Sequence, residues 1–594
     1  MSKYLFLFTI MPVQTFIAQA RKTRDLYNGS RLLTDLIKYA LKEIEPFEPI
    51  FPAKGLDSYP NRFVAIIEAE NDDEMRKYGN NLKSKVQSKF EELSLCAAKE
   101  TNVNVQNLPK SFYEQIKKHL SIQWVAIPYS EENYNQQYIE IESLLGATKN
   151  VRNFEQLEET GRKCSICGER NTIFYQNGNN SKFELKPNWD LLTEEEKKII
   201  TEYNQSLIGI HQPLESSEGL CAVCFTKRFY QNKEFPSTAE IALKDSINKL
   251  LKDNVFSEKI KKYKDIFGGD FDYQLFFDHN LSEKYFKKQN ISPSLVKKAK
   301  ENLYKIIEHK PSNIKLTTYY ALIMFDGDSM GKWLSGTNLK EGTNLYEFHK
   351  NLTEALGNFA EETKKIVTDE KGKIVYAGGE DFLAFINLNY LFDVLITLRE
   401  KFDELVNQKI TCKKENANLS FSAGIIIAYY KTPLSEVIHW ARKLEKDAKD
   451  IDDDKNGLAI AVLKHSGEIN KTIIKWSYDN SIAKSIQTIK EITNYLAADF
   501  INNKFIKNII EEFRRFPPKK QQDDLINDMM KIELKRLIKN SISNKSLNEE
   551  EKLKISNNLT NKLMLFYENI KEIDSFFSLL NISDFIARQL NGGK

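Results

Sequence analysis

The sequence predicts an α+β protein: two ferredoxin-like domains, a cysteine-knuckle and helical domain between them, and a C-terminal helical domain. Three observations carry this reading. Residues 1–155 and 315–470 follow the same β-α-β-β-α-β order, two cysteine pairs fall between them, and beyond residue 470 the apolar spacing is helical throughout. One supersecondary order met twice in a chain reads as an internal duplication. At 594 residues the chain is long enough for about four domains of ~150 residues. Their expected bounds are 1–155, 156–314, 315–470 and 471–594.

In the first unit, residues 4–9 form an apolar run that reads as a buried strand. Pro12 suits a helix start, where its missing N–H is not needed. A helix is expected from about residue 13 to 41, with Phe16, Ala20, Leu32 and Ile37 as its apolar stripe and Arg21, Lys22 and Arg24 as its basic residues. A strand over 62–68, a helix over about 73–95, a strand over 122–127 and a helix containing 138–145 follow. The second unit repeats the order: strand 319–325, helix 345–367, hairpin strands 374–377 and 382–386, helix 390–406, strand 419–427 and helix 433–449. Residues 457–463 add a last strand.

Between the units stand Cys164-Ser-Ile-Cys167 and Cys221-Ala-Val-Cys224. A C-x-x-C turn aims both thiolates at one centre, and two such turns complete a tetrahedral sulfur site suited to one structural Zn²⁺. The pairs lie 54 positions apart (221 − 167), so neither follows from the other by local spacing. A redox dithiol would need one pair and a thioredoxin-like setting; unrelated buried cysteines are the other alternative. His211 is expected at the surface, and Cys96 and Cys412 as buried fillers.

The net charge of +3, from 86 basic and 83 acidic residues, gives no overall bias toward nucleic acid. Any such contact must come from local patches or partner subunits. No run reaches the ~18 apolar residues that span a membrane. The N-terminal apolar stretch lacks a small-residue cleavage site and reads as a strand, not a signal peptide. C-x-x-C pairs in a long chain point to a reducing cytoplasm.

Two acidic clusters end apolar runs in the second unit. Asp326-Gly327-Asp328-Ser329-Met330-Gly331 follows the strand 319–325, and Gly378-Gly379-Glu380-Asp381 lies between the hairpin strands. Paired glycines at a hairpin turn permit positive φ and let a phosphate approach the backbone. Carboxylates beside them add nothing to a turn, but they suit Mg²⁺ or Mn²⁺, hard cations with oxygen ligands. Asp326 should meet Glu380 and Asp381 on the neighbouring strand, 54 and 55 positions on (380 − 326 and 381 − 326). Two metal ions held there could activate a ribose hydroxyl and neutralise a triphosphate. This is the layout of a palm, or nucleotidyl cyclase-like, domain. Each acid alone would be a solvated turn residue; their convergence argues otherwise.

Asp328 either orients the site or caps the next helix. Ser329, Met330 and Gly331 should open that helix and offer backbone N–H groups to phosphate. Lys449, at a helix end, is either a triphosphate contact or a solvated lysine. The first unit has neither acidic cluster: its strand ends Thr9-Ile10-Met11-Pro12 and its hairpin position reads Ser58-Tyr59-Pro60-Asn61-Arg62. It is expected to clamp substrate or to scaffold, leaving the chemistry to the second unit.

These stretches resemble the large subunit of type III CRISPR effector complexes in its Cmr-type (III-B) form. The resemblance rests on residues 6–30, on Pro60-Asn61-Arg62-Phe63, both cysteine knuckles, the Asp326–Gly331 and Gly378–Asp381 segments, Ser422-Ala423-Gly424 and Ala448-Lys449. It runs from residue 4 to about 450. It implies RNA-guided antiviral defence, with other Cmr-type subunits, crRNA and target RNA as partners. Bound target RNA would switch on the second palm, which would convert ATP into cyclic oligoadenylate through 3′–5′ linkages. Lys449 aligns with a triphosphate contact. The Gly29-Ser30 turn matches the nucleotide-facing part of the first palm, making Ser30 a candidate contact, with Arg62 a weaker one.

Two departures stand out. Many members carry an N-terminal HD nuclease domain, whereas no His-Asp dipeptide occurs in this sequence, so DNA cleavage is not expected. The turn reads Gly-Gly-Glu-Asp where most members have Gly-Gly-Asp-Asp; related diguanylate cyclases use Glu there. Some HD-less Cmr-type systems are thought to join AMP to S-adenosylmethionine, which leaves that product as an alternative. A stand-alone GGDEF-like cyclase and a non-catalytic crRNA-binding scaffold are alternatives of another class.

Overall fold

A computed structural model describes residues 1–151, 159–211, 214–215, 217–231, 235–479, 481–502, 504–517, 519, 522–543 and 547–590. The expected boundary at residue 155 lies outside them.

The first palm is a four-stranded antiparallel sheet in the order β2-β3-β1-β4, where β1 is Ser2–Met11, β2 Pro49–Phe51, β3 Arg62–Ala69 and β4 Ser121–Pro128. That is ferredoxin-like topology, built from the three expected strands and the short strand Pro49–Phe51, which was not expected. Side chains alternate across a strand, and β1 is apolar on both faces because both are covered. Phe6, Phe8 and Ile10 pack with the helices Thr23–Glu43 and Asp72–Glu100, while Leu5 and Leu7 join a core that includes Leu352 and Leu356 of the second palm.

The helix expected over residues 13–41 is two helices, Gln14–Ala18 and Thr23–Glu43. Buried charges from the cysteine domain make the break. The ammonium of Lys227 donates to the carbonyls of Phe16, at 2.7 Å, and Gln19. Asp25 then accepts the backbone N–H groups of Arg21 and Lys22, both at 3.0 Å. Arg228 ties Asp25 to Glu218 in the interior. Gly29-Ser30, expected as a turn, lies inside the second helix; a Cβ on Gly29 would come within 2.9 Å of the Lys227 stem.

Beside the cysteines, a small sheet in the order β6-β5-β7 joins β5 (Phe174–Gln176), β6 (Ile208–Ile210) and β7 (Gly219–Leu220). Cys96, expected as a buried filler, is exposed, and Cys412 is half-buried. Helix Asp72–Glu100 turns its apolar residues Met75, Leu82, Val86 and Phe90 inward, and Cys96 falls off that stripe.

The second palm has six strands in the order β13-β12-β11-β8-β10-β9. These are β8 (Tyr319–Gly327), β9 (Gly372–Ala377), β10 (Asp381–Ile386), β11 (Phe421–Tyr429), β12 (Gly457–Leu463) and β13 (Ile469–Lys475). Strands β9, β10, β8 and β11 repeat the first palm's order; β12 adds in parallel to β11 through helix Leu434–Lys449. Strand β13 crosses the expected boundary at residue 470, so the sheet runs five residues further than the sequence reading placed it (475 − 470). Its alternation is weak because only Thr472 and Ile474 are buried, which hides a strand signal. Five helices between Lys484 and Gln589 complete the described chain. Pro517 follows one of them, and Pro518 lies outside the described residues.

Candidate active site and cysteine cluster

Strand register builds the acidic site. Asp326 on β8 lies directly opposite Asp381 on β10, and Ser422 of β11 flanks Asp326 on the other side. The hairpin closes through the Gly378 N–H donating to the Asp381 carbonyl at 2.9 Å. Its glycines are needed where they stand. Gly379 has φ +101°, and a Cβ on Gly378 would sit 2.1 Å from the Asp381 carboxylate. Gly327 has no room either: Met330 and Glu380 pack over it at 2.8 and 3.3 Å.

Charge accumulates here. Burial, followed by Asp381 and Asp326, raises the Glu380 carboxyl to about 7. Burial and Asp326 raise Asp381 to about 6. A raised carboxylate means the charged form lacks compensation. The compensation present is unequal. Lys449 forms an ion pair with Asp326 and a second with Glu445 at 3.0 Å. Burial opposes the charge on Lys449, but the two carboxylates outweigh it and hold the ammonium above its ordinary range. The first palm supplies Arg62, whose positive charge lowers Glu380 against the larger effect of burial. Glu142 orients Arg62 with both oxygens, at 2.9 and 3.0 Å, and Tyr138 donates to Glu142 at 3.1 Å.

The other expected residues distribute as follows. Asp328 caps no helix, and its Oδ1 is buried without a hydrogen-bond partner. It is buried, accepting from Ser420 Oγ at 2.7 Å and from the Asn456 N–H at 3.1 Å, so it pins the turn after Gly327. Ser329 is left-handed at φ +53° and precedes the short helix Met330–Leu334 that contains Gly331. Ser30 is buried and lines a cavity of about 330 Å³ with Arg31, Lys364, Tyr376 and Ala377, on the β9 side of the Gly378 turn. Glu445, Glu142 and Tyr138 were missed by sequence reasoning. Each stands four residues from its partner on one helix, Glu445 to Lys449 and Tyr138 to Glu142, and that spacing was the available signal.

An oxygen donor set with an ammonium standing against Asp326 fits divalent cations. Asp326, Glu380 and Asp381 are the residues that would hold them. Among the described residues, the one group of three or more ligand side chains drawn within 4.8 Å of one another is Cys164, Cys167, Cys221 and Cys224. Cys167 and Cys221 sulfurs lie 3.8 Å apart. Tetrahedral bonds of ~2.3 Å give sulfur–sulfur edges of ~3.8 Å, so the cluster has the size and donors for zinc. Gly168, at φ +67°, turns the first knuckle, and the N–H groups of Ile166 and Cys224 point at Cys164 and Cys221 sulfurs. His211 is exposed beside Asn177 and away from the sulfurs.

Fold and site define a two-palm protein whose second palm has the nucleotidyl cyclase-like fold. The model of the Cas10/Cmr2 second palm domain matches residues 319–459, and that of the CRISPR-associated protein Cmr2 N-terminal region matches residues 5–46. The CRISPR system Cmr subunit Cmr2 of Pyrococcus furiosus is 25% identical, across 96% of this chain and 73% of that protein. Two cryo-EM structures of type III-B Cmr-beta, one apo and one bound to cognate target RNA, each align with TM-score 0.63 at 16% and 15% identity. They cover 96% of this chain and 82% and 83% of theirs, and they show the shared fold. The two domain matches, the relative and the shared fold together support a large subunit of the type III-B Cas10/Cmr2 kind. Among the described residues, no helix is long and apolar enough to cross a membrane.

Proposed function

We propose that this chain is the target-RNA-activated nucleotidyltransferase of a type III-B complex, making cyclic oligoadenylate from ATP by 3′–5′ linkage. The observation that carries the reading is the asymmetry of the two palms. Only the second brings carboxylates face to face, Asp326 against Asp381, while the first turns Arg62 toward Glu380. A donor site and an acceptor-holding half are what a transfer between two nucleotides requires. Divalent metal, held by Asp326, Glu380 and Asp381, would supply charge neutralisation to the triphosphate and acidity to the attacking hydroxyl.

The chain's own residues do the rest. Gly327, Gly378 and Gly379 keep the turns bare of side chains, so phosphates can approach the backbone. Lys449 is placed to exchange Asp326 for a triphosphate oxygen. Arg62, fixed by Glu142, can orient the acceptor, and such positioning is a large part of the rate for a reaction between two bound molecules. The RNA dependence rests on family resemblance and on the relative whose structure holds cognate target RNA. No feature of the described residues decides between this product and AMP transfer to S-adenosylmethionine.

Mass spectrometry of products from the assembled complex, given ATP, S-adenosylmethionine and metal with and without target RNA, tests this reading. Adenylate rings that appear only with target RNA support it. An adenylated S-adenosylmethionine, or product from the isolated chain without RNA, contradicts it.

A further inference from the structure

A cavity of about 910 Å³ opens where the first palm, the cysteine domain, the helical insert and the second palm meet. It does not include the carboxylates of the candidate active site. Three helices begin on its wall. Thr23–Glu43 starts there through Lys22 and Thr23, Thr238–Leu251 through Ser237 and Thr238, and Leu434–Lys449 through Pro433, Leu434 and Ser435. They are 21, 14 and 16 residues long. The last of them has no side-chain cap at its start. Helix starts present unpaired N–H groups and the positive end of the macrodipole. Three on one cavity wall make a positive pole, but helix ends alone do not specify a ligand.

The side chains point the same way. Arg21, Lys22, Arg24, Arg228 and Lys431 line the cavity against Glu215 and Asp272. Two of these cations are neutralised: Arg21 by Glu215 at 2.9 Å, and Arg228 by Asp25 and Glu218. Among the described residues, Lys22, Arg24 and Lys431 have no carboxylate within ion-pair distance. Lys22 is mostly shielded from water, and burial, with Arg228 nearby, pulls its ammonium below the ordinary range. Glu218, Asp25 and Glu215 oppose that shift without cancelling it; a shielded cation left short of negative charge is costly, and a bound anion would relieve it. Lys431 is held by Asn280 at 2.5 Å over the rings of Tyr285 and Tyr430. Asp272 is the one unpaired acid on the wall; burial raises its carboxyl, which weakens its opposition to an anion.

We propose that this cavity is a second phosphate-binding site, taking the phosphates of an RNA strand or a free polyphosphate. Lys22, Arg24 and Lys431 are its cationic contacts, and the start of helix Leu434–Lys449 supplies backbone N–H donors. Its volume falls in the range of nucleotide-sized pockets, ~300–1,000 Å³. The other end of that helix carries Lys449, which holds Asp326. Occupancy of the cavity is therefore mechanically continuous with the second palm.

The test measures binding of two probes to the purified full-length chain: a short fluorescent single-stranded RNA, and inorganic tripolyphosphate as its competitor. In Lys22→Gln/Lys431→Gln, affinity for the occupying probe should fall by ~10-fold or more, since two charged contacts are lost. For RNA the slope of log affinity against log salt should also shrink, by ~1 per lost phosphate contact. Loss for RNA alone assigns a strand; loss for tripolyphosphate assigns a free polyphosphate. Lys22→Arg should retain binding. As a check independent of variants, each probe should protect Lys22 and Lys431 of the wild-type chain from amine acetylation. Unchanged affinity of a folded double variant for both probes, or no protection of either lysine, would overturn the proposal.

Discussion

Asp326 and Asp381 face each other across the β8–β10 ladder, and among the described residues the only cation paired with either is the Lys449 ammonium on Asp326. The site is thus under-compensated as it stands. Adding Mg²⁺ or Mn²⁺ to metal-free protein should raise its thermal midpoint, because a ligand that binds only the folded state stabilises it. The shift should vanish in Glu380→Gln/Asp381→Asn. Differential scanning calorimetry with and without metal gives the answer, and an equal shift in the variant would refute metal binding here.

The same charges set a pH dependence of stability. Glu380 and Asp381 titrate at about 7 and about 6 when folded, above their ordinary 4.5 and 3.8. The folded state therefore binds more protons across that window, and stability falls as pH rises from about 4 to 7. Neutralising Asp381 as Asn should stabilise metal-free protein at pH ~7.5 by the order of 1 kcal/mol, with little effect at pH ~4. Denaturant titrations at both pH values decide this; a variant less stable than wild type at the higher pH goes against it.

A second titration joins the palms. Tyr134, on a first-palm helix, meets His349 Nδ1 at 2.8 Å, and His349 Nε2 lies 2.9 Å from the Leu334 carbonyl. Burial lowers the His349 imidazole to about 4. A depressed folded value means that its stability contribution is present above pH ~6.5 and is lost as pH falls toward ~4. In His349→Gln, stability should lose that acid-side slope, by the order of 1–2 kcal/mol. Wild type and variant falling in parallel between these pH values would remove His349 as the cause.

Much of this was legible in the chain. Continuous apolar runs gave β1, β8, β10 and β11, and the glycine-acid clusters marked the strand ends that meet. What stayed hidden depends on distant residues. The break after Ala18 is made by Lys227 and Asp25, more than two hundred positions apart (227 − 25). Gly29-Ser30 was expected as a turn from the resemblance, yet it lies in a helix where Gly29 clears space for the Lys227 stem. That Asp328 would be held by Ser420 and Asn456 depends on residues 92 and 128 positions away. Strand β13 has too few buried positions to announce itself.

The cysteine cluster should hold about one zinc per chain, and Cys164→Ser/Cys167→Ser should release it. Structural zinc contributes folding energy directly, and this domain supplies Lys227 and Arg228 to the first palm. The variant should therefore lower the thermal midpoint and expose residues 19–25 to hydrogen exchange. Elemental analysis finding no zinc in reduced wild-type protein would be decisive the other way.

Arg62→Ala should leave donor ATP binding unchanged while raising the acceptor requirement, since Arg62 belongs to the palm without carboxylates. Changing Ser30 to Phe should do the same if its cavity admits the acceptor. Single-turnover kinetics with separately labelled donor and acceptor separates the two effects. Equal weakening of both would show a general loss of structure.

The most direct test of the central claim compares Asp326→Ala and Glu380→Ala/Asp381→Ala with wild type, each assembled with sibling subunits, target RNA, ATP and Mg²⁺. Losing the charge-stabilising machinery should cut nucleotide product by ~10²–10³ or more, as one such interaction typically supplies, with assembly and zinc content unchanged. Product from the double variant within a few-fold of wild type would place the chemistry elsewhere.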